Sequence, residues 1–227
     1  ISYSVTGVQT CALPILLVIA SAGNTARAFI HACSQHHIHA LVIVPEWSIP
    51  TLWQETEISG CVHIIAVGGQ SDYADVISLA AGICGISGFV AEGGALNVAR
   101  RDGLGTTVLV CAEAAGRVPD AYFQAVGSGT GAIAAWETSM RLIRNRVLPG
   151  GPMKLHVAQN LPFAPIYESW QYHSRDLRAF VPPSPSNSDS AAPYAPMLFN
   201  RRPPYGITGG LYDALLATNG CVYGITN

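Results

Sequence analysis

Three apolar runs, residues 16–20 (LLVIA), 40–44 (ALVIV) and 62–67 (VHIIAV, broken only by His63), stop abruptly at turn-forming residues. Ser21, Ala22 and Gly23 follow the first, Pro45 the second, and Gly68 and Gly69 the third. A short run that is apolar without alternation marks a strand buried on both faces. The stretches between the runs carry a different period. Residues 25–37 place Ala26, Phe29, Ile30 and Cys33 at helical spacing. Residues 71–84 read as a helix capped by Ser71 or Asp72, with Ile77, Ala80 and Ala81 toward the core. Residues 50–56 fit a short helix with Pro50 near its start. Residues 89–91 add a short strand. Strands alternating with helices predict α/β architecture, a parallel sheet covered on both faces.

Glu92, Gly93 and Gly94 interrupt this rhythm and mark a crossing between domains. Residues 16–92 are expected to form a smaller α/β domain and residues 93–227 a larger one. In the second, a helix is predicted over 106–115, a strand over 122–126 and another strand over 155–159. Between them lies a helix over 133–144, with Ile133, Trp136, Met140 and Ile143 on one face. Residues 182–196, rich in Pro, Ser and Ala, read as a loop or an inserted excursion. Residues 221–227 read as a strand running into a turn with no closing helix.

Residues 1–15 do not fit the pattern. Val5 to Ile15 back-translate to the string of a common sequencing-library adapter, and no Lys or Arg precedes Arg27 to supply the basic region of a signal peptide. These residues are expected to be non-native, with the native chain joining inside the first strand and both ends truncated.

Composition narrows the partners. Charged residues make up only 11% of the chain and hydrophobic ones 49%, which argues against disorder. A net charge of -2 gives no reason to expect nucleic acid or an anionic membrane. No apolar run reaches the roughly 18 residues of a membrane span. Six scattered cysteines without a CxxC pair read as reduced, mostly buried thiols of a cytoplasmic protein. His36, His37 and His39 fall at a helix end, where their charge suits the helix dipole better than a metal. The pairs Arg100-Arg101 and Arg201-Arg202 read as solvated surface charge, and Trp136 and Tyr205 as packing residues.

Gly127, Ser128, Gly129, Thr130 and Gly131 lie between a predicted strand and a predicted helix. Glycines there let backbone N–H groups close on a phosphate, and the helix dipole favours the negative charge. No GK[ST] follows, so the turn is not a Walker loop, and its GxGxG spacing is not GxGxxG. Ser21, Ala22, Gly23, Asn24 and Thr25 form a second strand-to-helix turn whose N–H groups and hydroxyls suit a carboxylate.

Taken together, the two turns resemble those of fold-type II pyridoxal-phosphate (PLP) enzymes, the group of tryptophan synthase β, cysteine synthase and threonine synthase. In detail the chain resembles the cysteate synthase branch beside threonine synthase. The stretches carrying this are residues 21–29 (SAGNTARAF), 97–103 (NVARRDG), 122–137 (YFQAVGSGTGAIAAWE), 159–165 (QNLPFAP) and 200–215 (NRRPPYGITGGLYDAL). The resemblance implies two α/β domains with twisted, mostly parallel sheets and the cofactor between them. It implies PLP as cofactor, its phosphate on Gly127, Ser128, Gly129, Thr130 and Gly131, and its ring oxygen on Asn24. Ser21, Ala22, Gly23 and Thr25 would hold the substrate carboxylate. The implied reaction replaces the phosphate of O-phospho-L-serine with sulfite to give L-cysteate for coenzyme M biosynthesis, in a homo-oligomer when full length. Threonine synthase, acting on O-phosphohomoserine, is the alternative within the class. A non-catalytic binder of a phosphorylated ligand is the alternative outside it. The family's Schiff-base lysine lies upstream of the SAGNT turn, whereas the only lysine here is Lys154, read as structural. The residue that contacts the pyridine nitrogen would lie beyond Asn227. This chain by itself is therefore expected to be inactive.

Overall fold

The computed structural model describes residues 15–69, 71–177 and 195–226. The adapter-like segment except Ile15, and residues 182–194 of the Pro-rich stretch, lie outside them. The chain forms two compact units that divide between Glu92 and Gly93.

The first unit runs β1 (Leu16–Ala20), α1 (Asn24–His36), β2 (Ala40–Pro45), β3 (Val62–Val67), α2 (Tyr73–Ile83) and β4 (Phe89–Ala91). All strand pairs are parallel, in the order β3-β2-β1-β4. Every residue of β2 is buried, as its unbroken apolar run requires. Its side chains alternate between two cores. Ala40, Val42 and Val44 meet Ala26, Ile30 and Cys33 of α1. Leu41 and Ile43 meet Val76 and Ala80 of α2 on the opposite face. One helix per face follows directly from this period of two.

Local chemistry sets the helix ends. Asp72 and Asp75 form a reciprocal capping box at the start of α2. His37 closes α1 in the left-handed region at φ 52°, its N–H donated to the Cys33 carbonyl. The structure departs from the sequence pattern at two places in this unit. The core stripe of α2 is Val76, Ala80 and Ile83, while Ile77 and Ala81 are exposed; the sheet residues Val18, Leu41 and Ile43 meet the i, i+4, i+7 row instead. Residues 52–56 form no helix, and Pro50 lies near the end of a helix rather than its start. A 3-10 helix spans Glu46–Thr51, held by Ser48 Oγ on the Pro45 carbonyl and Thr51 Oγ1 on the Ser48 carbonyl.

The second unit runs α3 (Val98–Ala115), β5 (Ala121–Ala125), α4 (Thr130–Arg144), β6 (Lys154–Asn160), α5 (Pro165–Gln171), α6 (Leu211–Ala217) and β7 (Cys221–Ile225). Its sheet is parallel in the order β5-β6-β7. Leu155, Val157 and Val222 pack with Ile133, Leu142, Leu211 and Leu215. α3 begins eight residues before its predicted start, where Asn97 accepts from the Arg100 N–H. Gly103 and Gly105 conceal it in the sequence, and Gly105 is needed: a Cβ there would stand 2.1 Å from Thr138 Oγ1 on α4. α4 buries Ile133 and Leu142, whereas Trp136, Met140 and Ile143 are half-buried. Arg101 is not solvated surface charge. It is largely buried, 3.1 Å from Glu137 of α4, and it donates to the Ala95 carbonyl. The cysteines are less buried than expected: of the five described, only Cys33 is buried and Cys111 is exposed, on the outer face of α3. Burial raises the Cys33 thiol pKa, with Cys61 adding to it.

Candidate cofactor-binding site

Residues 127–131 leave the carboxyl end of β5 and enter α4 without a spacer, since Thr130 is already helical. Three features shape this turn. Gly129 sits at φ 79°, a conformation an L side chain rarely adopts. Gly127 lies so close to the backbone of Leu198 that a Cβ would stand 2.9 Å from its carbonyl oxygen. Gly131 faces Gln124, whose amide nitrogen would be 2.6 Å from a Cβ. Ser128 Oγ and Thr130 Oγ1 share a 2.9 Å hydrogen bond. The N-cap residue Gly129 has no side chain to cap α4, and Ser128 Oγ accepts from the Thr130 N–H at 3.4 Å. The glycines thus let the turn pack closely against its neighbours at the positive end of a fifteen-residue helix, a position suited to an anion.

Beside it, a cavity of about 320 Å³ opens over the carboxyl ends of all three strands. Ala125 and Val126 at the end of β5, Gln159 and Asn160 of β6 and Ile225 of β7 contribute, with Phe163, Leu198 and Phe199. In open parallel sheets this edge is where ligands bind, because the strand ends and the helix N-termini converge there. Gln159 is buried and accepts from the N–H groups of Ile166 (2.8 Å) and Tyr167 (3.1 Å), which fixes the start of α5 beside the cavity. Gln124 in turn accepts from the Tyr122 hydroxyl at 3.4 Å, and burial raises the pKa of that phenol.

Lys154 is the first residue of β6, paired with Ala121. The cavity lies at the other end of this seven-residue strand, about 20 Å away at the usual rise per residue. The chain's single lysine is therefore not placed to serve the glycine turn.

In the first unit, residues 21–25 join β1 to α1 at the carboxyl edge of that unit's sheet. Ser21 and Ala22 are buried; the Ser21 N–H bonds the Ile43 carbonyl, and the Ser21 hydroxyl accepts from the Gly23 N–H at 3.3 Å. Asn24 opens the helix and is exposed, Thr25 is half-buried, and no side chain caps this helix either. The Asn24 amide oxygen accepts from Arg27 at 3.4 Å. Arg27, Leu198, Phe199 and Gln159 carried no assigned role in the sequence. Gln159 lies inside QNLPFAP, which was the available signal; Leu198 and Phe199 gave none.

Both units are parallel α/β layers with a turn of small residues at the carboxyl edge, the construction of α/β enzymes that hold a phosphorylated ligand there. The family profile described as pyridoxal-phosphate dependent enzyme matches residues 14–196. The chain belongs to this family, and its cofactor is pyridoxal phosphate. Curated relatives include the cysteate synthase of Methanosarcina acetivorans, 45% identical over 210 residues, covering 92% of this chain and 50% of that protein. The cysteate synthase of Methanoregula boonei is 48% identical over 210 residues, covering 92% and 49%. The chain thus spans about half the length of the curated relatives it matches. Among solved structures, maize serine racemase aligns with a TM-score of 0.61 at 13% identity, covering 96% of this chain and 58% of that one. A hydrogen sulfide-producing enzyme of Fusobacterium nucleatum aligns with a TM-score of 0.61 at 11% identity, covering 93% and 61%. At such identities the likeness is one of fold, and that fold is type II of the PLP enzymes.

The residues present fit the cofactor's phosphate. Glycine at 127 and 129 lets the turn fold tightly against Leu198 and Leu211, and Gly129, the residue before α4, has no side chain to occupy the helix N-terminus, which leaves donors for a dianion.

Proposed function

We propose that the full-length protein is a PLP-dependent synthase that replaces the phosphate of O-phospho-L-serine with sulfite, giving L-cysteate and inorganic phosphate. The Cβ–O bond to phosphate breaks and a Cβ–S bond to sulfite forms, so the reaction balances without an oxidant. The observation that carries this reading is the identity of 44–48% to proteins named cysteate synthase over more than nine-tenths of this chain. Those relatives do not favour the threonine synthase reading or a non-catalytic binder.

The family resemblance supplies a role for each of these residues, and their position at the two turns supports it. Backbone N–H groups of residues 128–131, with Ser128 and Thr130 hydroxyls, would hold the cofactor phosphate. Asn24 would donate its amide N–H to the cofactor's ring oxygen. Ser21, Ala22, Gly23 and Thr25 would bind the substrate carboxylate through the N–H groups and hydroxyls of the α1 turn. Phe163 and Phe199, 4.7 Å apart edge to face, would exclude water from the cavity at the sheet edge. Bound PLP would supply the electron sink that stabilises negative charge at the substrate Cα.

The test is a product assay with the full-length enzyme. The reading predicts L-cysteate and phosphate from O-phosphoserine only when sulfite is present. Threonine from O-phosphohomoserine, or no turnover of O-phosphoserine with sulfite, contradicts it.

A further inference from the structure

On α1, Asn24, Arg27, Ala28 and His31 fall on one face and form one wall of a cleft of about 370 Å³, opposite Trp53, Gln54 and Glu55. Arg27 is held in this cleft from two sides. Its guanidinium carbon lies 3.4 Å from the centroid of the Trp53 ring, and its Nε donates to the Trp53 carbonyl at 3.2 Å. Gln54 Nε2 donates to the Arg27 carbonyl at 3.4 Å, tying the same segment to the first turns of the helix. What remains of the guanidinium points along the helix, where Nη1 donates to Asn24 Oδ1.

We infer that Arg27 is a positioning residue that fixes which way the Asn24 amide faces. An Asn side chain offers an acceptor at one end and two donors at the other, and the two ends are nearly equal in shape. A guanidinium has donors only, so its neighbour must be the amide oxygen. With Oδ1 turned to Arg27, Nδ2 is turned outward as a donor. A donor is what a negatively charged ring oxygen requires; a flipped amide would set oxygen against oxygen. Trp53 makes the arrangement stiff, since a clamped guanidinium loses little further freedom when it bonds. This inference rests on the reading of Asn24 as the contact to the cofactor's ring oxygen.

The experiment is a double-mutant cycle on the full-length holoenzyme, read by PLP dissociation constant and by the pH titration of the bound cofactor's absorbance. Asn24→Ala and Arg27→Ala are each expected to weaken PLP on the order of tenfold, the effect of about 1.4 kcal/mol. Each should also raise the apparent pKa of the cofactor chromophore, because the ionised ring oxygen loses its donor. In the Asn24→Ala background, Arg27→Ala should add nothing to either quantity. Arg27→Lys keeps a donor-only cation and avoids opening a hole, but it loses the Nε bond to the Trp53 carbonyl and the stacked guanidinium plane that aim the donor at Asn24, so it should still show most of the single-variant effect. Additive effects of the two alanine variants, or an Arg27→Lys enzyme with wild-type affinity and titration, overturn the inference. If Asn24→Ala alone leaves both readouts unchanged, the ring-oxygen reading itself fails, and the inference falls with it.

Discussion

Gly129 and Leu211 occupy the same place: a Cβ on Gly129 would stand 2.6 Å from Leu211 Cδ2. The glycine turn is thus shaped by packing from α6 as well as by its own φ of 79°. Gly129→Ala is expected to lower the unfolding free energy by about 1–3 kcal/mol, from left-handed backbone cost plus overpacking of the fully buried Leu211. Denaturant unfolding measures it. Adding Leu211→Ala should not restore wild-type stability, because the backbone cost remains and a cavity is added.

Gly105 sets how closely α3 approaches α4. Gly105→Ala forces a methyl group to within 2.1 Å of Thr138 Oγ1 and should cost about 1–3 kcal/mol. Thr138→Ala removes the opposing hydroxyl, so the double variant should be more stable than the two separate losses predict. Chemical denaturation of the four proteins reads this coupling.

Gln159 is the cap that α5 does not carry in its own sequence. Gln159→Met keeps the volume but leaves the Ile166 and Tyr167 N–H groups without their acceptor. A loss of about 1–3 kcal/mol is expected, with faster amide exchange at Ile166 and Tyr167.

Arg175 pairs with Asp213 while stacking 4.8 Å from the Tyr212 ring, and Asp213 also accepts from the Gly209 N–H at 2.8 Å. The Arg175 bond holds the Asp213 carboxyl below its ordinary pKa, against a smaller opposing effect of burial. A depressed folded pKa means that this stabilisation is present above the unfolded value and is lost as pH falls through the folded one. Asp213→Asn should therefore be less stable than wild type by a constant amount above about pH 5, and the difference should shrink in more acidic solution. Thermal unfolding across pH 2–7 tests the sign.

The strands were legible in the sequence because a strand buried on both faces leaves an unbroken apolar run, as β1 and β2 do. The glycine turn was legible because its strand and helix flank it directly. Helix faces were less so: α2 has apolar residues almost all round, so periodicity alone could not choose Val76 over Ile77. α3 was half hidden, since Gly103 and Gly105 read as breakers until their closeness to α4 explains one of them. α5 and α6 are seven residues each, too short to show a period. Within the site, Leu198 and Gln159 act through the backbone and through a cap. Such roles depend on residues distant in sequence, so no local pattern announces them. Arg27 looked like an ordinary helical arginine until Trp53, 26 positions away, was found to receive its bond.

Residues 127–131 are proposed to cradle the phosphate of PLP. The most direct measurement is an experimental structure of the full-length holoenzyme at a resolution that places the phosphate oxygens. Those oxygens are expected within about 3 Å of backbone N–H groups among residues 128–131. A phosphate bound elsewhere, with this turn contacting no part of the cofactor, would contradict it.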